Sequence, residues 1–218
     1  LIEPIGTIFV VPVMKGTSLD PARTRAAILD TATAVLYQRG LDGVGIAELC
    51  AAVGISKETL YRHFGSKDGL IQAVLEQRSD RVSRWLAGAA DAAGADPYAQ
   101  LAAVFDALAE WYAEPTFRGC AIMNAAAQHH GEPATAVAVR HLGRRLDLLA
   151  GIAERAGAAD PRTLGRQLLM LVIGATVVAD HGGARGAGRT RRAGVAETGK
   201  QAALALLRAA ARVPSSPA

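Results

Sequence analysis

Aromatic residues make up only 5% of this 218-residue chain, and there are just two cysteines. Two thiols build no disulfide framework and point to a reducing compartment. Cys50 and Cys120 both sit in apolar stretches, with no basic neighbour in sequence to activate a thiolate, so they read as small buried hydrophobes. Apart from the first few residues, no segment alternates apolar and polar side chains over a useful length, which argues against a sheet. There is no glycine-rich phosphate loop, no nucleophile elbow and no pair of carboxylates set for acid–base work, so an enzyme is only a remote alternative and no cofactor is expected. Leu1–Met14 is apolar but lacks a basic flank and a small-residue cleavage site, and it is too short to span a bilayer. A cytoplasmic protein with no membrane partner is expected. Since the chain begins at Leu1 and Met14 lies just before the first helix signal, residues 1–19 read as an upstream extension without fixed structure.

What the chain does have is helical periodicity. Half of its residues are apolar, and Gly and Pro fall mainly between periodic stretches. Asp20-Pro21 is a helix start, with Asp as cap and Pro in the first turn. Ile28, Ala32, Val35 and Leu36 mark a buried stripe that ends at Gly40. Ile46, Leu49, Cys50 and Val53 define a second helix, and Gly54 suits a left-handed turn after it. Ser56 then caps a very short helix, and Ser66 caps the next. Within the short helix only Leu60 and Phe64 face a core; Lys57, Glu58, Thr59, Tyr61, Arg62 and His63 are left on its other faces. A helix of this length with one apolar stripe and many donors is the pattern of a recognition helix in a helix-turn-helix.

Residues 23–71 resemble the N-terminal domain of the TetR/AcrR family of bacterial repressors. The matching pieces are Gly40-Leu41-Asp42-Gly43, the helix Ile46–Val53, Gly54-Ile55-Ser56, Thr59-Leu60-Tyr61-Arg62-His63-Phe64 and Ser66-Lys67-Asp68-Gly69-Leu70. The resemblance implies an all-α fold: a three-helix DNA-binding head over residues 20–66, and a helical effector-binding and dimerisation domain over 67–212, followed by a tail at 213–218. It implies a double-stranded DNA operator as partner, with Tyr61, His63 and Lys67 on phosphates and Lys57, Glu58, Thr59 and Arg62 nearest base edges. One departure stands out: where the family usually has a hydroxyl pair, this chain has Val44-Gly45. A helix cap and a phosphate contact are expected to be missing there.

The net charge of +4 and pI near 9.4 permit nucleic-acid binding without requiring it. The head itself is nearly balanced: Lys15, Arg23, Arg25, Arg39, Lys57, Arg62 and Lys67 are set against Asp20, Asp30, Asp42, Glu48, Glu58 and Asp68. Binding would rest on placed charges, not on a basic field.

Beyond the head, apolar stripes and Asp-Pro starts predict further helices to about Asp91, from Pro97 to Pro115, over Cys120–His129, from Pro133 to about Ala156, over Pro161–Asp180 and over Ala196–Arg212. Pro161–Asp180 is apolar most of the way round, which requires cover on several sides. In the resembled family the last two helices pair with their copies in a homodimer. Leu168, Leu169, Val172, Ile173, Leu204 and Leu207 are the candidates here. Arg185, Arg189, Arg191 and Arg192 fall in a Gly/Arg-rich stretch, 181–194, read as a solvated loop.

Phe117-Arg118-Gly119-Cys120 with Met123-Asn124-Ala125 is similar to a stretch in one branch of these regulators. A small-molecule effector needs apolar and aromatic walls with a few polar groups. Phe105, Trp111, Tyr112, Phe117 and Met123 are candidate walls, with Asn124 and Gln128 as the polar groups. A repressor without effector, constitutive or controlled by a partner, is the main alternative. His129, His130 and His141 do not suggest a metal: adjacent helical histidines diverge by about a hundred degrees, unlike an i, i+4 pair. His130 beside Gly131 suits a helix C-terminus.

Overall fold

The computed structural model describes residues 21–39, 44–128, 132–181 and 189–211. The expected extension, the tail, His129, His130 and Arg185 lie outside them. Among the described residues every regular element is an α-helix: α1 (Pro21–Arg39), α2 (Ile46–Val53), α3 (Lys57–Phe64), α4 (Lys67–Ala92), α5 (Pro97–Ala113), α6 (Ala121–Gln128), α7 (Glu132–Arg155), α8 (Pro161–His181) and α9 (Arg189–Ala211). The helices divide into two compact units, and the division by packing lies elsewhere than the functional boundary expected at residue 67. One unit comprises the described residues of Thr7–Arg81 with Ala121–Arg140. The other comprises Val82–Cys120 with the described residues from His141 onward.

The first unit is built on short-range caps. Ile28, Leu29, Ala32 and Leu36 recur at helical spacing and are buried on α1, which packs on α2. Leu49, Cys50 and Val53 form the inner face of α2. Gly54 ends it at φ 77°, in the left-handed region, and its N–H donates to the Cys50 carbonyl. Ser56 opens α3 by accepting from the Thr59 N–H at 3.1 Å, and Ser66 opens α4 by accepting from the Gly69 N–H at 2.9 Å. Gly69 has a second reason to be glycine: a Cβ there would collide with the carbonyl oxygen of Phe64. The tight α3–α4 junction therefore depends on its having no side chain.

The second unit holds the larger core. Asp96 caps α5 by accepting from the N–H groups of Tyr98 and Ala99, with Pro97 in the first turn. Helix α5 packs against α9 and α8, and α8 against α9. Two glycines let backbones approach: a Cβ on Gly165 would lie 2.9 Å from the Ala150 nitrogen, and one on Gly199 would lie 2.9 Å from the Phe105 ring. Arg155, near the end of α7, donates twice to the Gln100 side-chain carbonyl, at 3.0 and 2.7 Å, while the Gln100 amide donates to the Gly94 carbonyl.

Helix α9 starts at Arg189, not Ala196, so 189–194 is helix and not loop. The inner stripe of α9 runs through Ala196, Gly199, Ala203 and Leu207, mostly small residues that give little periodic signal. Packing against α5 and α8, not local propensity, holds its first turns. Helix α8 is long and apolar enough to cross a membrane, the one such helix among the described residues. Yet Arg162 and Arg166 lie on it, and the hydroxyl of its buried Thr176 donates to the Val172 carbonyl.

Candidate functional site

The seven residues expected on the DNA side fall on α3 and the first turn of α4. Lys57, Glu58, Tyr61 and Arg62 are exposed, while Thr59, His63 and Lys67 are half-buried. Leu60 is fully buried and anchors α3 to the core, which fixes the outward direction of its neighbours. Tyr61 is 45% exposed, a large ring left in solvent on a helix whose apolar partner site is already filled by Leu60. Thr59 is engaged: its hydroxyl lies 3.0 Å from that of Ser56, inside the cap. The side chain of Arg25 on α1 stacks 5.1 Å over the Phe64 ring, which places a cation beside the end of α3. Sequence reading took Arg25 only as one charge among several; its stacking depends on a contact across 39 positions, and no local pattern announces it.

The departure at Val44-Gly45 has a structural counterpart. Val44 is fully buried, and Gly45 stands at the N-cap of α2 with no side-chain cap hydrogen bond. The first turn of α2 thus lacks the acceptor that a hydroxyl would supply.

In the second unit, four rings expected as pocket walls are buried. Trp111 and Phe117 meet edge-on with centroids 4.9 Å apart, Tyr112 lies 5.0 Å from Phe117, and Trp85 abuts Trp111 at 6.4 Å. Phe105 is buried against Gly199. Of the three pocket candidates on α6, in the other unit, Met123 is half-buried and Asn124 and Gln128 are exposed. Arg192, read from sequence as part of a solvated loop, has its guanidinium 5.5 Å over the Phe117 ring.

Polar groups accompany the rings. The Tyr112 hydroxyl lies 2.8 Å from Thr176 Oγ1. Thr176 donates its only proton to Val172, so Tyr112 is the donor to Thr176. Burial pushes the phenol up to about 12. Cys120 Sγ is 3.7 Å from His141 Nε2, and both side chains are buried. Sequence gave Cys120 no basic neighbour because this one lies 21 positions away.

The residues expected at a subunit interface divide in two. Leu168, Val172, Leu204 and Leu207 are buried within the protomer, whereas Leu169 and Ile173 are half-buried. The exposed apolar side chains of α8 are Met170, Val177 and Val178. Period alone could not separate these sets, because the helix is apolar on both its inner and outer faces.

The model of the bacterial regulatory proteins of the TetR family matches residues 28–74. SCO4454, a TetR-family transcriptional regulator from Streptomyces coelicolor, superposes with a TM-score of 0.76 at 30% identity, covering 88% of this chain and 97% of that one. The chain belongs to the TetR family. Its relatives are transcriptional regulators, not enzymes. The regulator UidR of Escherichia coli is 38% identical over 66 residues, 30% of this chain. That match spans 33% of UidR, about a third of the curated relative's length. The TetR-family regulator CifR, in a structure with a 26-bp double-stranded operator, shares the fold at 24% identity and a TM-score of 0.65, over 82% of this chain and 95% of CifR.

Proposed function

We propose that this TetR-family chain is a cytoplasmic, homodimeric repressor that binds a palindromic operator and is released by a small, mainly apolar effector. The observation that carries the reading is α3: an eight-residue helix anchored by Leu60, with Lys57, Glu58, Tyr61 and Arg62 exposed around it. In the major groove, Lys57 or Arg62 donates to guanine and Glu58 accepts from a cytosine amine, with Thr59 beside them. Tyr61, His63 and Lys67 hold phosphates, and Arg25 adds another cation at the end of α3.

The dimer is formed by α8 and α9 meeting their copies, with Met170, Val177 and Val178 outermost and Leu169 and Ile173 beside them. An exposed apolar row of this kind marks an interaction surface. A two-fold dimer sets two recognition helices about one DNA turn apart, roughly 34–36 Å or somewhat more, and so reads an imperfect palindrome.

The effector binds at the ring cluster of Trp111, Tyr112 and Phe117, with Phe105 as a further wall, and favours the conformer that grips DNA poorly. Helix α4 supports the coupling: it starts at Lys67 and its later turns carry Trp85, which touches Trp111. A coupling of about 1–3 kcal/mol lowers operator occupancy between five- and a hundredfold. The test is retardation of the DNA upstream of its own gene, with and without candidate effectors. Sequence-specific retardation of a palindrome, lost in a Tyr61→Phe/Lys67→Ala variant, supports the reading. Unchanged binding by that variant at physiological salt overturns the DNA assignment, and retardation that no compound relieves favours a repressor without effector.

A further inference from the structure

Arg145 on α7 is 3% exposed, yet its Nε and Nη2 have no hydrogen-bond partner. A buried guanidinium with unmet N–H groups is costly, since each forgoes water without replacement and the charge lacks a counter-ion. No carboxylate among the described residues is buried, so none of them supplies a buried acid to neutralise it. Its surroundings are polar as well as apolar. His141 lies one turn earlier on the same helix, also buried, with Cys120 at 3.7 Å. Cys120 follows Phe117 by three residues, so its contact with His141 brings this stretch of α7 to the Phe117 end of the rings; the Arg145 charge also favours ionisation of the Tyr112 phenol, against the larger effect of burial.

We infer that Arg145 is the anion-binding residue of the effector site, and that the effector carries a single carboxylate on an apolar body. The inference rests on the proposed effector reading and adds the chemistry of the ligand's head group. A carboxylate is planar and accepts two parallel N–H bonds, and Nε with Nη2 is one of the two forks that arginine offers. The neighbouring Trp111, Tyr112 and Phe117 rings suit an aliphatic or aryl body better than a second charge. Inorganic phosphate, with its higher charge and no apolar body, matches one guanidinium among rings poorly. The Tyr112 proton is held by Thr176, so the phenol does not compete to donate to the ligand. His141 stands one turn from the fork as a further donor when its proton faces the ligand.

The experiment uses the full chain without DNA, so its outcome is independent of operator binding. Octanoate and 3-phenylpropanoate are each compared with their amides by calorimetry and thermal shift, with inorganic phosphate as control. At least tenfold tighter binding of an acid than of its amide is expected. In Arg145→Gln and in Arg145→Met that preference should vanish, while affinity for the amide stays within about threefold. The Arg145 Nε–H resonance of the parent protein should move on adding the acid and not on adding phosphate, a readout that survives should either variant fail to fold. Equal binding of acid and amide, binding of neither up to 10 mM, or a preference unchanged in both folded variants overturns the inference.

Discussion

Tyr112 on α5 donates its phenolic proton to Thr176 on α8, because Thr176 has already given its own to the Val172 carbonyl. The bond is buried and links two helices, and burial of the phenol pushes its ionisation from near 10 up to about 12, against the Thr176 bond and the Arg145 charge, which lower it. Alkaline stability follows with a definite sign. The folded state keeps the proton over a range in which the unfolded chain gives it up, so the contribution is complete below about pH 10 and is lost as pH rises toward 12. Urea unfolding between pH 9 and 11.5 should show a falling stability, of order 2 kcal/mol across the window, and Tyr112→Phe should flatten that slope. At pH 7 the same variant should cost about 0.5–1.5 kcal/mol for the lost hydrogen bond.

Gly69→Ala should be among the most damaging single-methyl additions in the head. The added carbon meets the Phe64 carbonyl, a backbone atom with no rotamer to escape into. A loss of about 1–3 kcal/mol is expected by denaturant titration. Operator affinity should fall further than stability alone accounts for, because the α3–α4 junction sets Lys67 against α3.

Gly45→Thr should act in the opposite direction. The N-cap of α2 has extended backbone that any residue adopts, and nothing lies within 4 Å of a Cβ there. A hydroxyl would accept from the first turn and add a few tenths of a kcal/mol. A rise in melting temperature with tighter operator binding would show that the missing hydroxyl serves both the cap and a phosphate.

The outer row of α8 can be separated from its inner row. Met170→Glu with Val177→Arg changes side chains that are 64% and 53% exposed, so the protomer should stay folded while the dimer dissociates. Sedimentation should then give a monomer with unchanged helical circular dichroism and no tight operator complex. Leu168→Glu, a fully buried position, should instead unfold the chain. A dimer that survives the double substitution would remove α8 from the interface.

The elements legible in sequence were those with punctuation. The serine caps at Ser56 and Ser66, the turn at Gly54 and the Asp96-Pro97 start each placed a helix boundary from two or three residues. What was not legible came from contacts distant in sequence. Cys120 and His141 meet across 21 positions, and the burial of Arg145 with its Nε and Nη2 unpartnered shows only in the folded chain. The start of α9 was hidden for a related reason: a helix whose inner face is Ala and Gly looks like a loop until its neighbours are known. On α3 the sequence could assign sides, since only Leu60 and Phe64 can be core. On α8, apolar on both faces, it could not.

The contact between Gly199 and the Phe105 ring ties two positions on different helices into one inherited choice. A methyl at 199 would come within 2.9 Å of the Phe105 ring and force it to shift, so mutational drift at either site is limited by the other. Relatives with alanine or serine at the position of Gly199 should carry a smaller side chain at that of Phe105, and Gly199→Ala should be rescued by Phe105→Leu. Since Phe105 is a candidate wall of the proposed effector site, such an exchange would alter that wall at the same time. On the proposed effector reading, a change of ligand preference can begin at a glycine that is not among the candidate walls.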